Sequence, residues 1–138
     1  MMKLSILSPE RKLLEGENAL EVTITGSEGE IQILDGHAPM LGSLEMGVLK
    51  YKTADGNLHT GVVTAGFFEV KDDVVVLMCE SVELKGEINV ERAKQAQAEA
   101  EQALKDATLD EHHFKKYQLQ VERSLIEQQV AHSHHQDH

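Results

Sequence analysis

Apolar residues recur at every second position through most of residues 1–85 and at every third or fourth position afterwards, so two kinds of element are predicted in succession. Leu4 and Ile6 alternate with Lys3 and Ser5. Leu20, Val22 and Ile24 alternate with Glu21, Thr23 and Thr25, and Ile31 and Ile33 flank Gln32. This is the pattern of half-buried strands. Further runs follow in "GVLKYKT", "LHTGVVTA", "FFEVK" and "VVVLMCE", separated by turn signals at Asp55-Gly56-Asn57 and Asp72-Asp73. Short strands at regular spacing predict an all-β sandwich or barrel. Each fully buried Val, Leu or Ile stabilises it by about 1.5–3 kcal/mol, so two facing sheets can hold themselves together.

The period changes after Gly86, where Gly and Pro disappear and Ala, Gln, Glu and Lys take over. Asn89 is placed to cap a helix. Beyond it Ala93, Ala96, Ala100, Ala103 and Ala107 step by three and four residues, an a/d seam of small side chains. Thr108 and Glu111 have the spacing of a second capping box, and Phe114, Tyr117, Val121 and Leu125 then form a bulky stripe expected to face the alanines. The fold class expected is mixed: an N-terminal β-sandwich over residues 1–85, then an antiparallel α-helical hairpin over 86–138 with a disordered histidine-rich tail from about 131. Helices of this length are marginal alone, so the hairpin should detach more readily than the sandwich unfolds.

Charge narrows the partners. Asp and Glu outnumber Lys and Arg by 24 to 13, a net charge of −11, which excludes the clustered cations that nucleic-acid binding needs and points to protein partners with basic patches. The one cysteine, Cys79, lies in the apolar run "VVVLMC", where a buried hydrophobe is expected rather than a reactive thiol. No segment approaches the roughly 20 apolar residues of a bilayer span, so any work at a membrane is expected to depend on another subunit.

Candidate chemistry is sparse. His37 sits in "DGHAP", a turn closed by Pro39, without a nucleophile that would make a triad, so a loop-forming or partner-contacting histidine is expected. "GSEG" carries Glu28 and is followed by Glu30, and carboxylates there repel phosphate. Six of the eight histidines follow Glu111, four of them in the last seven residues, which reads as a polar tail rather than a built metal site. Lys116 and Arg123 share one face of the second helix, with Lys115 beside them. Arg92, at a helix start where the dipole favours anionic side chains, stands out as an anion-binding candidate.

Taken together, "TGSEGEIQILDGHAPMLGSLEMGVLKY", "TAGFFEVKDDVVVLMCES" and "INVERAKQAQ" resemble, in order and along essentially the whole chain, the epsilon subunits of bacterial F-type ATP synthases. The resemblance implies a ten-stranded sandwich and two helices in the rotating central stalk, beside gamma and on the membrane c-ring, peripheral to the cytoplasmic side of the bacterial inner membrane. It implies interface roles for Glu28, Glu30, His37 and Pro39: Glu30 towards the c-ring and His37 towards gamma. It also implies that the hairpin inhibits ATP hydrolysis when it extends to the alpha/beta head, with Lys115, Lys116 and Arg123 as contacts. The family's nucleotide motif is Ile or Leu, Asp, two variable residues, Arg and Ala; here it reads Ile88-Asn89-Val90-Glu91-Arg92-Ala93. Asn89 replaces the carboxylate, and Arg92 and Arg123 are the only arginines after Gly86, so weak ATP binding or none is expected, and no resident cofactor or metal.

Two other classes compete with this reading. One is a free-standing nucleotide-sensing sandwich with the hairpin as a lid over Arg92. The other is a small enzyme using His37 or Cys79, which the residues favour least.

Overall fold

The computed structural model describes residues 1–133; residues 134–138, most of the histidine-rich tail, lie outside it. Nine strands precede two helices: β1 (Met2–Leu7), β2 (Lys12–Gly26), β3 (Gly29–Leu34), β4 (Met40–Leu44), β5 (Gly47–Thr53), β6 (Leu58–Val63), β7 (Gly66–Lys71), β8 (Val74–Cys79), β9 (Val82–Leu84), α1 (Val90–Ala103) and α2 (Glu111–Ala131), with a 3-10 turn at Lys85–Glu87. Nine strands stand where ten are expected because one long strand, β2, serves both leaves of the sandwich. Its first half pairs with β1, and its second half pairs with β3 and β5. One leaf runs β2-β1-β8-β7-β4 and the other β3-β2-β5-β6-β9.

The alternation read in the sequence becomes the core. Leu4, Ile6, Val22, Ile24, Ile33, Leu49, Phe68 and Leu77 are fully or almost fully buried between the leaves. Leu20 departs from it. Ala19 pairs with Thr53 and Glu21 with Lys52, so Leu20 is the extra residue of a bulge, which turns it outward and buries Ala19 instead. At the β7–β8 hairpin Asp72 and Asp73 both take positive φ, 51° and 60°, a left-handed turn that aspartate tolerates and that matches the twist of its strands.

On β6 the residues Thr60 to Val63 are buried on both faces, because α2 packs across the outer surface of β5 and β6. The two helices meet along a seam that differs from expectation. Ala93 and Ala100 are buried as the spacing requires, but the face of α2 that meets them carries Ser124, and Gln120 and Gln128 cross-link the pair: Gln120 Nε2 donates to the Ala96 carbonyl and Gln128 Nε2 to Gln97 Oε1, both at 2.8 Å. Small residues thus face small ones across part of the seam. Phe114 and Leu125, expected against the alanines, are nearly half exposed. Ala107 lies beyond the end of α1. The second helix is capped by Asp110, whose Oδ1 accepts the His113 N–H at 2.8 Å, whereas Thr108 is turned back to Asp106; backbone angles at Asp110 suit the cap and override the Thr108–Glu111 spacing.

Candidate functional site: an uncovered apolar face and a hairpin interface

Strand register decides which apolar residues the core leaves outside. On the first leaf Phe68 faces inward over Gly42, so Phe67 and Glu69 face outward. Phe67 lies opposite Met78, which lies beside Leu7, and Leu41 is diagonal to Phe67 on β4. Leu41, Phe67 and Met78 are 74%, 61% and 50% exposed, a contiguous apolar strip on a rigid sheet. It opens at one end into an apolar groove of about 680 Å³ between Leu7, Pro9, Leu44, Phe67 and Met78. The sequence contained the signal: Glu69 must face water, and Phe67 shares its side of the strand.

The residues singled out in the sequence fall at several places around this face. Glu28 sits in the exposed β2–β3 turn and Glu30 at the start of β3, where it lines a small cavity with Thr23 and Lys50. His37 and exposed Pro39 follow the other end of β3, so roughly 14 Å of strand separates them from Glu30 and these residues do not form one site. The His37 loop is held from several sides. The His37 backbone N–H donates to the Leu34 carbonyl at 3.1 Å, its ring Nδ1 lies 2.7 Å from the Ala38 carbonyl and donates there, Gly36 N–H donates to Asp73 Oδ1 at 2.8 Å, and Asp35 pairs with the N-terminal amine. The imidazole thus acts as a loop brace. Cys79 is buried, donates to the Leu7 carbonyl at 3.5 Å, and burial pushes its thiol up to about 11.

The second cluster lies where the hairpin meets β9. Asn89 caps α1, accepting the Arg92 N–H at 3.0 Å. Asn89, Arg92 and Arg123 share a cavity of about 290 Å³ with Glu83, Glu87 and Glu127. The structure thus brings both arginines together, and sets three carboxyl groups beside them that disfavour a polyphosphate. Lys115, earlier on α2, shares a second cavity with Arg123 and with Glu45 and Glu80 at the end of the sandwich, and Lys116 is exposed beside the Tyr117 ring. In the compact packing Arg123 is half-buried and the two lysines are exposed. Among the described residues no group of three or more His, Cys, Asp and Glu side chains is arranged to hold a metal.

A strap fixes the base of the hairpin. Arg11 makes a two-pronged contact with Glu87 at 2.7 Å through each nitrogen and also donates to the Val82 carbonyl, while Glu87 accepts the Leu84 N–H. The Arg11 hydrogen bonds hold the Glu87 carboxyl down at about 2. A depressed carboxylate adds stability that is present above its ordinary value near 4.5 and lost as pH falls through about 2. The pair is partly exposed, so Glu87→Gln is expected to reduce stability at pH 7 by only about 1 kcal/mol, with the difference vanishing near pH 2 in urea unfolding.

This architecture defines a class: a β-sandwich with one leaf covered by its own helical hairpin and the other presenting an uncovered apolar strip. Comparison with known proteins gives the family. Residues 1–85 match the β-sandwich domain of the ATP synthase delta/epsilon chain. The chain is 46% identical over 130 residues to the ATP synthase epsilon chain of Trichlorobacter lovleyi, covering 94% of this chain and 93% of that one. Its fold aligns with a chain of the Euglena gracilis mitochondrial ATP synthase OSCP/F1/c-ring structure at a TM-score of 0.83 and 25% identity, covering 95% of this chain and 81% of that one. It also aligns with a chain of the Tetrahymena thermophila mitochondrial ATP synthase central stalk and c-ring at 0.66 and 16%, covering 94% and 96%, a likeness of fold. The chain belongs to the ATP synthase epsilon family.

Proposed function

We propose that this chain is the non-catalytic central-stalk subunit that couples gamma to the c-ring in a rotary F-type ATP synthase and restrains ATP hydrolysis through its C-terminal helices. The observation that carries the reading is the division of labour between the leaves: β5 and β6 are covered by α2, while Leu41, Phe67 and Met78 remain uncovered on the other leaf. The apolar strip and the braced His37 loop serve as the gamma-facing surface, and the exposed carboxylates Glu28 and Glu30, at the far end of β3, meet the c-ring. Residues 1–85 act as the docking domain and the helices from 86 onward as the regulatory arm. None of the described helices is long and apolar enough to cross a membrane, so in this reading the subunit is held at the cytoplasmic side of the bacterial inner membrane by its partners.

In this role Arg123 changes partners: it faces Glu83 and Glu127 in the compact hairpin, and joins Lys115 and Lys116 against the alpha/beta head when the hairpin extends. The test is to titrate an epsilon-depleted bacterial ATP synthase core with the purified chain and follow ATP hydrolysis. A saturable fall in rate is expected, relieved by replacing Lys115, Lys116 and Arg123 with alanine. Binding without any fall would remove the inhibitory half of the proposal, and no binding would remove the whole.

A further inference from the structure

The cavity between β9 and the hairpin holds an unusual contact. Glu83 Oε1 is buried and has no donor within reach, and the side chain that approaches it from α2 is another carboxyl, Glu127. Two carboxylate oxygens attract one another only when a proton lies between them; otherwise both are acceptors, and a desolvated pair of negative charges repels. We propose that Glu83 and Glu127 form a proton-bridged carboxyl pair that latches the hairpin to the sandwich, and that loss of the shared proton releases it.

The surroundings favour a shared proton. Burial first, and then the Glu127 carboxyl, push Glu83 up to about 7, with Glu87 adding to the rise and Arg123 opposing it. Each neighbouring element contributes identifiable charges. The 3-10 turn supplies Glu87, already bound by Arg11; α1 supplies Arg92 at the cavity edge; α2 supplies Arg123 and Glu127; and Val62, opposite Glu83 on β6, is uncharged. Arg11 also acts on Glu83 at longer range. The two arginines therefore soften the repulsion without supplying the missing hydrogen bond. Other ties close to this edge include Arg11 to Glu87 on the sandwich side and Lys85 Nζ to the Ser133 carbonyl, at 2.7 Å, on the hairpin side.

The sign follows from the raised value. A carboxyl that returns to about 4.5 in the open hairpin and holds its proton up to about 7 in the docked one favours docking fully below 4.5, and that contribution is lost as pH rises through 7. An acidifying compartment tightens the latch and an alkaline one loosens it.

The full chain tests this directly, without the rest of the complex, so the result is independent of the proposed function. Donor and acceptor dyes at the exposed positions 12 and 99, introduced as K12C and E99C with Cys79→Ser, report the sandwich-to-hairpin distance. The open-to-docked ratio is expected to rise about twentyfold between pH 5.5 and 7.5. In Glu127→Gln the amide donates to Glu83 whatever the pH, and the change is expected to shrink below about twofold. Carbon-13 titration of the Glu83 carboxyl is expected to show a midpoint near 7 that falls into the ordinary carboxylate range in this variant. A pH-independent ratio in the unsubstituted chain, or an undiminished pH response in both Glu127→Gln and Glu83→Gln, would overturn the latch.

Discussion

Phe67→Asp is expected to weaken association of the chain with the gamma subunit by about 100-fold or more while leaving its unfolding midpoint unchanged. Phe67 is 61% exposed and faces away from the core, so the isolated chain loses little when it is replaced. Buried against a partner, the ring contributes roughly 2–3 kcal/mol, and an aspartate in its place must be desolvated without a counter-charge; about 2.8 kcal/mol corresponds to 100-fold in affinity. Its central position between Leu41 and Met78 makes it the natural anchor of the strip. Interferometry with immobilised gamma would measure the loss. A folded Phe67→Asp chain that bound with unchanged affinity would show that the strip is not the docking face, and attention would pass to the groove end at Pro9 and Leu44.

Most of the sandwich was legible from period-two alternation, since one buried and one wet face impose it on β1, β2 and β3 directly. Where both faces are covered the pattern disappears. Thr60 to Val63 read as a continuous run because α2 lies on what would otherwise be the wet side of β6. The bulge at Leu20 was invisible for a different reason: an extra residue in one strand is set by its partner β5, far along the chain. The hairpin follows the helical period, but its rotation differs from the one that bulk suggests: Phe114 and Leu125 stay largely outside the seam, where glutamine cross-links and Ser124 allow a closer approach. Of the candidate interface, the turns bearing Glu28 and His37 could be found from Gly and Pro alone, whereas Glu30 lies in β3. Alternation along β7 places Phe67 on the wet side with Glu69, but joining it to Leu41 and Met78 required register, and the contact between Glu83 and Glu127 required a docked hairpin.

The glycine of "TAGFF" shows how a turn signal in the sequence conceals a packing requirement. Gly66 pairs with Leu44 on one side and with Cys79 on the other, and a side chain there would run into the Met78 carbonyl oxygen and lie 2.8 Å from the Cys79 Cα. Those atoms are backbone, fixed in a ladder that cannot yield as a flexible side chain would. Gly66→Ala is therefore expected to lower stability by about 3 kcal/mol or more, read as a large drop in urea midpoint. Gly86→Ala, where nothing stands within 4 Å of the added carbon, is expected to change it by less than about 0.5 kcal/mol. Because Gly66 also lines the apolar groove, a chain that survives the substitution must part β7 from β8 at the end where Phe67 and Met78 meet. Loss of gamma affinity should then accompany loss of stability, whereas Phe67→Asp separates the two. A Gly66→Ala chain with the unsubstituted midpoint would mean that β7 and β8 part at this point at little cost, and that the strip is carried by a softer edge than a fixed two-strand ladder.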